Sequence, residues 1–279
     1  MVKAILRFLW FARRRVPLLR RPLIWPLPYG GRFHIYPDET GLNVIRGCKH
    51  EEGAWKFAER FLKPGMTCVD VGANQGFYTI LMRKKVGDVG QVFAFEPSSL
   101  ELMKLFDNLS LNNLNSGSCY ITPLALSYHI GKSRYYENTE GHASRSSLAP
   151  LAKEVRGKVL LTEVGTTTLD FLKGTAPLTR LDLLKIDTEG AELEVLRGAR
   201  RTLKELKPTI IIEIADVCTR QFGYPSSYLV TFLEDHGYQV FYPGRRGLVP
   251  YQPTDDNRDT VVALPNEHLD RILDSLVVK

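Results

Sequence analysis

The residues with chemistry in them are an aspartate just ahead of a glycine turn, a glutamate closing the next apolar run, and an acidic pair further along. Asp70 lies in VDVGANQGFYTI (69–80), Glu96 ends QVFAFEP (91–97), and Asp187 and Glu189 lie in KIDTEGAE (185–192). Gly72 and Gly76 bracket a turn where backbone must bend sharply or pass close to a ligand. A dinucleotide fingerprint spaces its glycines G-x-G-x-x-G, whereas here the spacing is G-x-x-x-G with an acid in front. That acid would repel a diphosphate and suits a cationic ligand. S-adenosyl-L-methionine (SAM) carries a sulfonium and an ammonium group, so charge complementarity favours it over a nicotinamide dinucleotide. Glu96 follows Asp70 by 26 residues, near the offset at which a second carboxylate grips ribose hydroxyls. Asp70 and the backbone at Gly72, Asn74 and Gly76 are therefore expected to hold the methionine part, with Asn74 donating to its carboxylate, and Glu96 to hold the ribose.

Transfer of a methyl group to a hydroxyl needs a base within hydrogen-bond reach and alignment of the reacting atoms. Asp187 and Glu189 are the expected base or hydroxyl-orienting groups, and His142, in GHASRSS, is the alternative base because imidazole titrates near neutrality. Each has a plainer reading. Glu189 fits a helix-dipole role, His142 an exposed loop, and Glu192 and Glu194 are expected to face solvent or Arg197. Lys185 pairs with an acid beneath the pocket or extends toward the sheet edge, and Glu213 ends a strand. The six histidines and four cysteines show no zinc-ligand spacing, so no metal site is expected, although a divalent ion held by carboxylates would make Asp187 a ligand.

The elements that must position these groups alternate. A strand runs to Val71, a helix through Leu81, a strand from Val92 to Glu96, a helix from Ser98 to Leu111 and a strand from Tyr120 to Leu126. LDLLKID reads as a strand, GAELEVLRGARRTLKEL as one helix, PTIIIEI as a strand, 222–236 as a helix, and YQVFY with DTVVALP as a last strand pair. Such alternation makes an α/β fold, a parallel sheet with helices on both faces. Residues 127–165 break the rhythm and read as antiparallel excursions or substrate loops. Ahead of the first strand, GRFHIYPD and GLNVIRG read as short strands of a cap, followed by a helix from Glu51 to Leu62.

Eight of the chain's 37 basic residues fall within residues 1–37, which hold no acid; the remainder carries 29 basic against 31 acidic residues. The body lacks the basic footprint of a nucleic-acid enzyme, so no nucleic-acid partner is expected. The arm, residues 1–28, mixes aliphatic and aromatic residues with arginines and contains no span-length apolar run and no clean signal peptide. It reads either as an interfacial segment on an anionic membrane surface or as a helix packed on the body. The cysteines read as reduced thiols, consistent with a cytoplasmic protein, held peripherally at the inner membrane face where the arm binds lipid.

Several ordered pieces together resemble the FkbM-type SAM-dependent methyltransferases: FLKPGMTCVDVGANQGFYT, FEPSSLELMKLFDNLSLNN, LALS at Leu124 to Ser127 followed by Gly131, TTTLD at Thr166 to Asp170, LLKIDTEGAELEVLRGA and PTIIIEI. The resemblance spans about Glu52 to Pro265. It implies the class I (Rossmann-like) methyltransferase fold, a seven-stranded, mostly parallel sheet whose seventh strand is antiparallel. It also implies adenine binding near Ala125, and O-methylation of a carbohydrate, glycolipid or small hydroxylated metabolite. Tyr128 stands where the family often has Asp. On this reading residues 29–64 form the cap and 65–279 the methyltransferase domain. The competing functions are methylation of nucleic acid or protein, disfavoured because DTEG replaces the Pro-Pro-aromatic motif of amino-methylating DNA enzymes, and a membrane-associated SAM-binding protein without turnover.

Overall fold

The computed structural model describes residues 22–114, 117–139, 146–149, 158–175, 178–244, 247–254 and 258–276. His142 and residues 1–21 of the arm lie outside them. In chain order the strands are β1 (Leu23–Pro26), β2 (Arg32–Ile35), β3 (Thr67–Val71), β4 (Gln91–Phe95), β5 (Cys119–Thr122), β6 (Ala125–Leu126), β7 (Gly131–Asn138), β8 (Val159–Thr167), β9 (Leu183–Ile186), β10 (Thr209–Ala215), β11 (Tyr238–Gly244), β12 (Gly247–Pro250) and β13 (Arg258–Pro265). The helices are α1 (Glu39–Ile45), α2 (Glu52–Phe61), α3 (Phe77–Val86), α4 (Ser99–Leu111), α5 (Leu169–Thr175), α6 (Glu192–Arg197), α7 (Arg200–Leu206), α8 (Asp216–Thr219), α9 (Ser227–Asp235) and α10 (Leu269–Leu276).

The main sheet runs β12-β11-β13-β10-β9-β3-β4-β5. β5, β4, β3, β9 and β10 are mutually parallel, and β13 lies antiparallel between β10 and β11. This is the class I methyltransferase sheet with one short edge strand, β12, added. The central strands are apolar on both faces, as a doubly covered sheet demands. Alternate residues feed two cores: Cys68, Leu183, Ile211 and Val262 pack with α2, α3 and α4, whereas Val69, Leu184, Ile212 and Val261 pack with α6, α7 and α9. The strand order reverses between β3 and β9, and the ligand cleft of an open α/β sheet opens at that point, at the carboxyl ends of the strands.

Four local expectations need correction. GLNVIRG is helical: the Asp38 carboxylate accepts the Gly41 N–H at 2.9 Å and caps α1, outweighing the β-branched and apolar pattern. The run from Tyr120 to Leu126 is two strands in different sheets, because Pro123 lacks the donor needed to continue a ladder; β6 joins β8 and β7 in a separate three-stranded sheet. The expected long helix after Asp187 is split at Gly198, where a Cβ would stand 2.0 Å from the Ser127 carbonyl oxygen. Asp170 then caps the second piece, accepting from Arg201 N at 3.0 Å and from Thr202 N at 2.7 Å. Finally, residues 222–226 are not part of the helix that follows; α9 begins at Ser227.

The cap shares its core with the sheet domain: Phe33, Val44 and Trp55 pack in the same cluster as Ile80 and Leu105. Asn108 of α4 and Asn112 at its C-terminal cap accept the backbone N–H groups of His34 and Arg32 at 2.7 and 2.8 Å. This docking carries α1 and the turn at 48–51 over the carboxyl ends of the sheet.

Candidate active site

The cleft at the switch point is lined by the turn after β3, by Glu96 and Pro97 after β4, by Leu124 to Leu126, by Asp187 to Glu189 after β9, and by cap residues including Thr40 and His50. Gly72, Asn74, Glu96, Ala125, Asp187 and Glu189 thus all face one cavity. Asp70 and Gly76 are not among the residues that line it.

Strand alternation explains Asp70. Its side chain falls on the α3 face of β3 with no exposure, accepting the Thr79 hydroxyl at 2.6 Å and lying 3.7 Å from the Lys185 ammonium. Burial outweighs both partners and pushes its pKa above the ordinary carboxylate value. Gly76 is a packing glycine: at φ +93° it starts α3, and a Cβ there would meet Leu105 at 2.5 Å. Gly72, at φ +73°, also answers a protein neighbour, since its Cβ would stand 1.9 Å from the Asp187 carbonyl oxygen. Close approach of two strand ends by itself excludes a side chain there.

The turn is lashed to β4. Gly72 and Ala73 both donate their N–H groups to Phe95 O at 3.0 Å. Asn74 N donates to Glu96 Oε2 at 2.7 Å, and Ser98 N donates to Glu96 Oε1 at 2.9 Å. Glu96 is 4% exposed; burial pushes its pKa up to about 8 against these two N–H groups. A buried carboxyl held by backbone donors, with no cation bonded to it, is suited to a pair of ribose hydroxyls. Leu124, Ala125 and Leu126 beside it supply an apolar wall for a base. Asn74 itself sits at φ +49°, its side-chain oxygen accepting from Thr40 at 3.0 Å.

Lys185 is the hub beneath this surface. It is 4% exposed, donates to Gly72 O at 3.1 Å, lies 3.2 Å from Asp187 Oδ2, and stands 5.2 Å from the centre of the Tyr78 ring. Burial alone would lower its pKa, but Asp187, Asp70 and Glu51 outweigh that and raise it, so it is a fixed charge. The sequence left its direction open; the structure turns it inward to Asp70 and Asp187.

Glu189 adopts φ +54°, a left-handed conformation costing a non-glycine residue about 1 kcal/mol or more. Its carboxylate accepts the Cys218 thiol at 3.3 Å and lies 3.9 Å from Arg258. Burial and then Asp187 push its pKa up to about 7. Arg258 Nε donates to Glu213 Oε1 at 3.3 Å, which places Glu213 inside β10, facing the cleft, rather than at the strand end. Glu189, Glu213 and Cys218 bring potential ligand atoms within 4.8 Å of one another, with the Arg258 guanidinium already supplying positive charge there. Glu192, expected in solvent or on Arg197, is 1% exposed and accepts from Thr188 N, Thr188 Oγ1 and Gly190 N at 2.8, 3.0 and 3.2 Å, fixing the DTEG turn. Glu194 takes the Arg197 pairing instead, at 3.0 Å.

A match to the FkbM methyltransferase domain extends over residues 70–240, more than half of the chain, including β4, β9 and β10 of this cleft's sheet. The chain belongs to the FkbM methyltransferase family. It is 28% identical over 198 residues to methyltransferase sdnD of Sordaria araneosa, covering 62% of this chain and 73% of that protein. It is 30% identical over 161 residues to methyltransferase 1 of Beauveria bassiana, covering 53% and 64%. A solved FkbM methyltransferase from Methylobacillus flagellatus superimposes with a TM-score of 0.44 and 19% identity over 72% of this chain and 43% of that one. The chain thus spans less than two thirds of the Beauveria relative and less than half of the solved chain. As an FkbM methyltransferase the protein uses SAM, and the residues present fit it: the Glu96 carboxyl for ribose, the wall at Ala125 for adenine, and the acids around Asp187 for its positive charges.

The sequence reading passed over three further residues of this FkbM cleft. His50 and Glu51, in the KHEE run before α2, line it, with His50 Nε2 2.7 Å from Glu51 Oε1; an imidazole next to an acid is the signal that was available. Arg258 also lines it, one residue ahead of the last expected strand segment, DTVVALP. A second cleft, of about 610 Å³, adjoins the first and shares Glu39, Asn43, His50, Glu213 and Arg258 with it.

Proposed function

We propose that this FkbM methyltransferase is an O-methyltransferase whose acceptor is a carbohydrate, glycolipid or other small hydroxylated metabolite. The observation that carries the reading is the second cleft, which shares Glu39, Asn43, His50, Glu213 and Arg258 with the cleft that Asp187 and Glu189 line. A volume of about 610 Å³ suits a small molecule. Its lining mixes Glu39 and Glu213 with Arg46, Lys49 and Arg258, which is not the continuous basic track a nucleic acid requires.

Bound SAM supplies an electrophilic methyl group. In this reading Glu96 holds the ribose, and Asn74 with the neighbouring backbone holds the methionine end. Asp70 acts one layer below, by keeping Lys185 in place. Asp187 and Glu189 orient the acceptor through its polar groups beside the attacking oxygen. Because Asp187 is tied to the Lys185 ammonium and Glu189 to Cys218 and Arg258, both are fixed in position, and orientation of this kind supplies a large part of the rate.

The test is methyl transfer from labelled SAM to fractionated glycans, glycolipids, small hydroxylated metabolites and bulk RNA, with mass spectrometry of the product. Label on an oxygen of a small acceptor, lost in Asp187→Asn, supports the reading. Label confined to RNA or protein overturns it. Among the described residues no helix is long and apolar enough to cross a membrane. Leu23 and Ile24 of β1, within the arm, are 46% and 53% exposed and support a proposed contact of residues 1–28 with an anionic membrane surface. Equal liposome sedimentation with and without those residues overturns that contact.

A further inference from the structure

Two clefts meet at one imidazole. Among the described residues His50 is the only histidine lining either cleft, and it lines both. His50 Nε2 lies 2.7 Å from Glu51 Oε1, so a neutral ring donating from Nε2 to that carboxylate leaves the Nδ1 lone pair free. Its side chain is 52% exposed and that of Glu51 19% exposed, an accessible ring on a sheltered anchor. Three carboxylates of the cleft already hold protein partners: Asp187 holds Lys185, Glu189 holds Cys218 and Arg258, and Glu213 holds Arg258.

We propose that His50 is the proton acceptor for the attacking hydroxyl, that Glu51 is its positioning residue, and that the acceptor reaches it through the second cleft. This rests on the O-methyl transfer reading and adds the route of the proton. As the acceptor oxygen bonds to the methyl carbon, the carbon–sulfur electron pair stays on sulfur, and the hydroxyl proton passes to His50 Nδ1. The imidazolium then formed is stabilised by the Glu51 carboxylate, and its proton leaves to solvent through the exposed ring face.

The surrounding charges suit this task. Glu51 raises the His50 pKa through its hydrogen bond, burial opposes it, and Asp187 raises while Arg258 lowers it, leaving a net rise. Glu213 from β10 and Glu39 from α1 face the same cleft. Burial pushes the Glu51 carboxyl up, but His50 and Lys185 outweigh it and hold it below the usual range, so Glu51 stays ionised throughout.

The test needs no identified acceptor. The full chain carrying ¹³C-labelled histidine is titrated by NMR in complex with SAM and in complex with S-adenosylhomocysteine, the neutral thioether product. The His50 resonance is assigned by its loss in His50→Gln. A positive charge brought into the cleft that His50 lines disfavours the imidazolium and lowers its pKa. His50 is therefore expected to titrate lower with SAM than with the thioether, and lower again in Glu51→Gln, a change that a merely structural Glu51 would not produce. Identical titration in the two complexes overturns the assignment of His50, and a titration unmoved by Glu51→Gln overturns the pairing. Calorimetry keeps the two readings apart: SAM binding retained in His50→Gln leaves the methyltransferase site intact, whereas no SAM binding by the unsubstituted protein overturns the underlying reading.

Discussion

Lys185→Met is the perturbation that interrogates this site most directly. The ammonium is 4% exposed and Asp70 not exposed at all, so removing the cation leaves a buried carboxylate with Thr79 as its remaining partner. Breaking a buried pair from one side costs about 3–5 kcal/mol. The Asp187 contact adds little, because that side chain is 32% exposed and water screens it. The variant also loses the hydrogen bond to Gly72 O, worth about 1 kcal/mol. Unfolding in urea at pH 7 should therefore show a loss of about 4 kcal/mol, and thermal unfolding a fall of roughly 10 °C for a domain of this size.

The pH dependence has a determined sign. The folded-state pKa of Asp70 already lies above its ordinary value. A raised carboxyl pKa gives stability that is fully present below the unfolded value and is lost as pH rises through the folded one. Removing Lys185 raises it further, so Lys185→Met should approach the parent in stability as the solution is acidified toward pH 4. Lys185→Met/Asp70→Asn should recover most of the loss, with a coupling of about 1–3 kcal/mol. A loss below about 1 kcal/mol in the single variant, or a double variant as destabilised as the sum of both singles, would show that the pair is not the hub beneath the cleft.

Three further outcomes follow from the same geometry. Gly72→Ala forces a Cβ to within 1.9 Å of the Asp187 carbonyl oxygen, whereas Gly87→Ala, also at positive φ, meets nothing within 4 Å; the second should cost about 1 kcal/mol in thermal unfolding, the first distinctly more, with calorimetric SAM affinity lost as well. In the ligand-free protein Glu96, at about 8 when folded against an ordinary 4.5, makes stability fall as pH rises between those values, by about 1.4 kcal/mol per pH unit at most; Glu96→Gln should flatten that slope in denaturant titrations and weaken SAM binding tenfold or more. Asp170→Ala removes the cap on Arg201 N and Thr202 N and should lower stability by about 1–2 kcal/mol, with SAM affinity unchanged.

The parts of this molecule that were legible beforehand are those where a local pattern and a tertiary requirement coincide. β3, β4, β9 and β10 are apolar runs, and a strand covered on both faces has to be one; their order along the chain then places Glu96 and Asp187 at the cleft without further information. Asp70 shows the limit. An acid at the end of an apolar strand looks like a ligand for a cation, and it is, but the cation is Lys185 from the next strand, a pairing set by the register Asp70↔Lys185 between β3 and β9 that no local pattern carries. Gly72 repeats the lesson: positive φ was foreseeable, but the neighbour that excludes a side chain is the Asp187 carbonyl oxygen, 115 residues away in the chain. GLNVIRG went astray for the opposite reason, since one capping carboxylate, Asp38, decides a segment whose apolar residues fit either period. His50 and Glu51 belong to the cap, outside the alternating pattern, and reach the cleft because Asn108 and Asn112 dock β2 against α4. The acidic groups of the cleft, Glu51, Asp187, Glu189 and Glu213, are therefore gathered around Lys185 and Arg258 from the cap, β10 and the segment after β9, with Asp70 holding Lys185 from below.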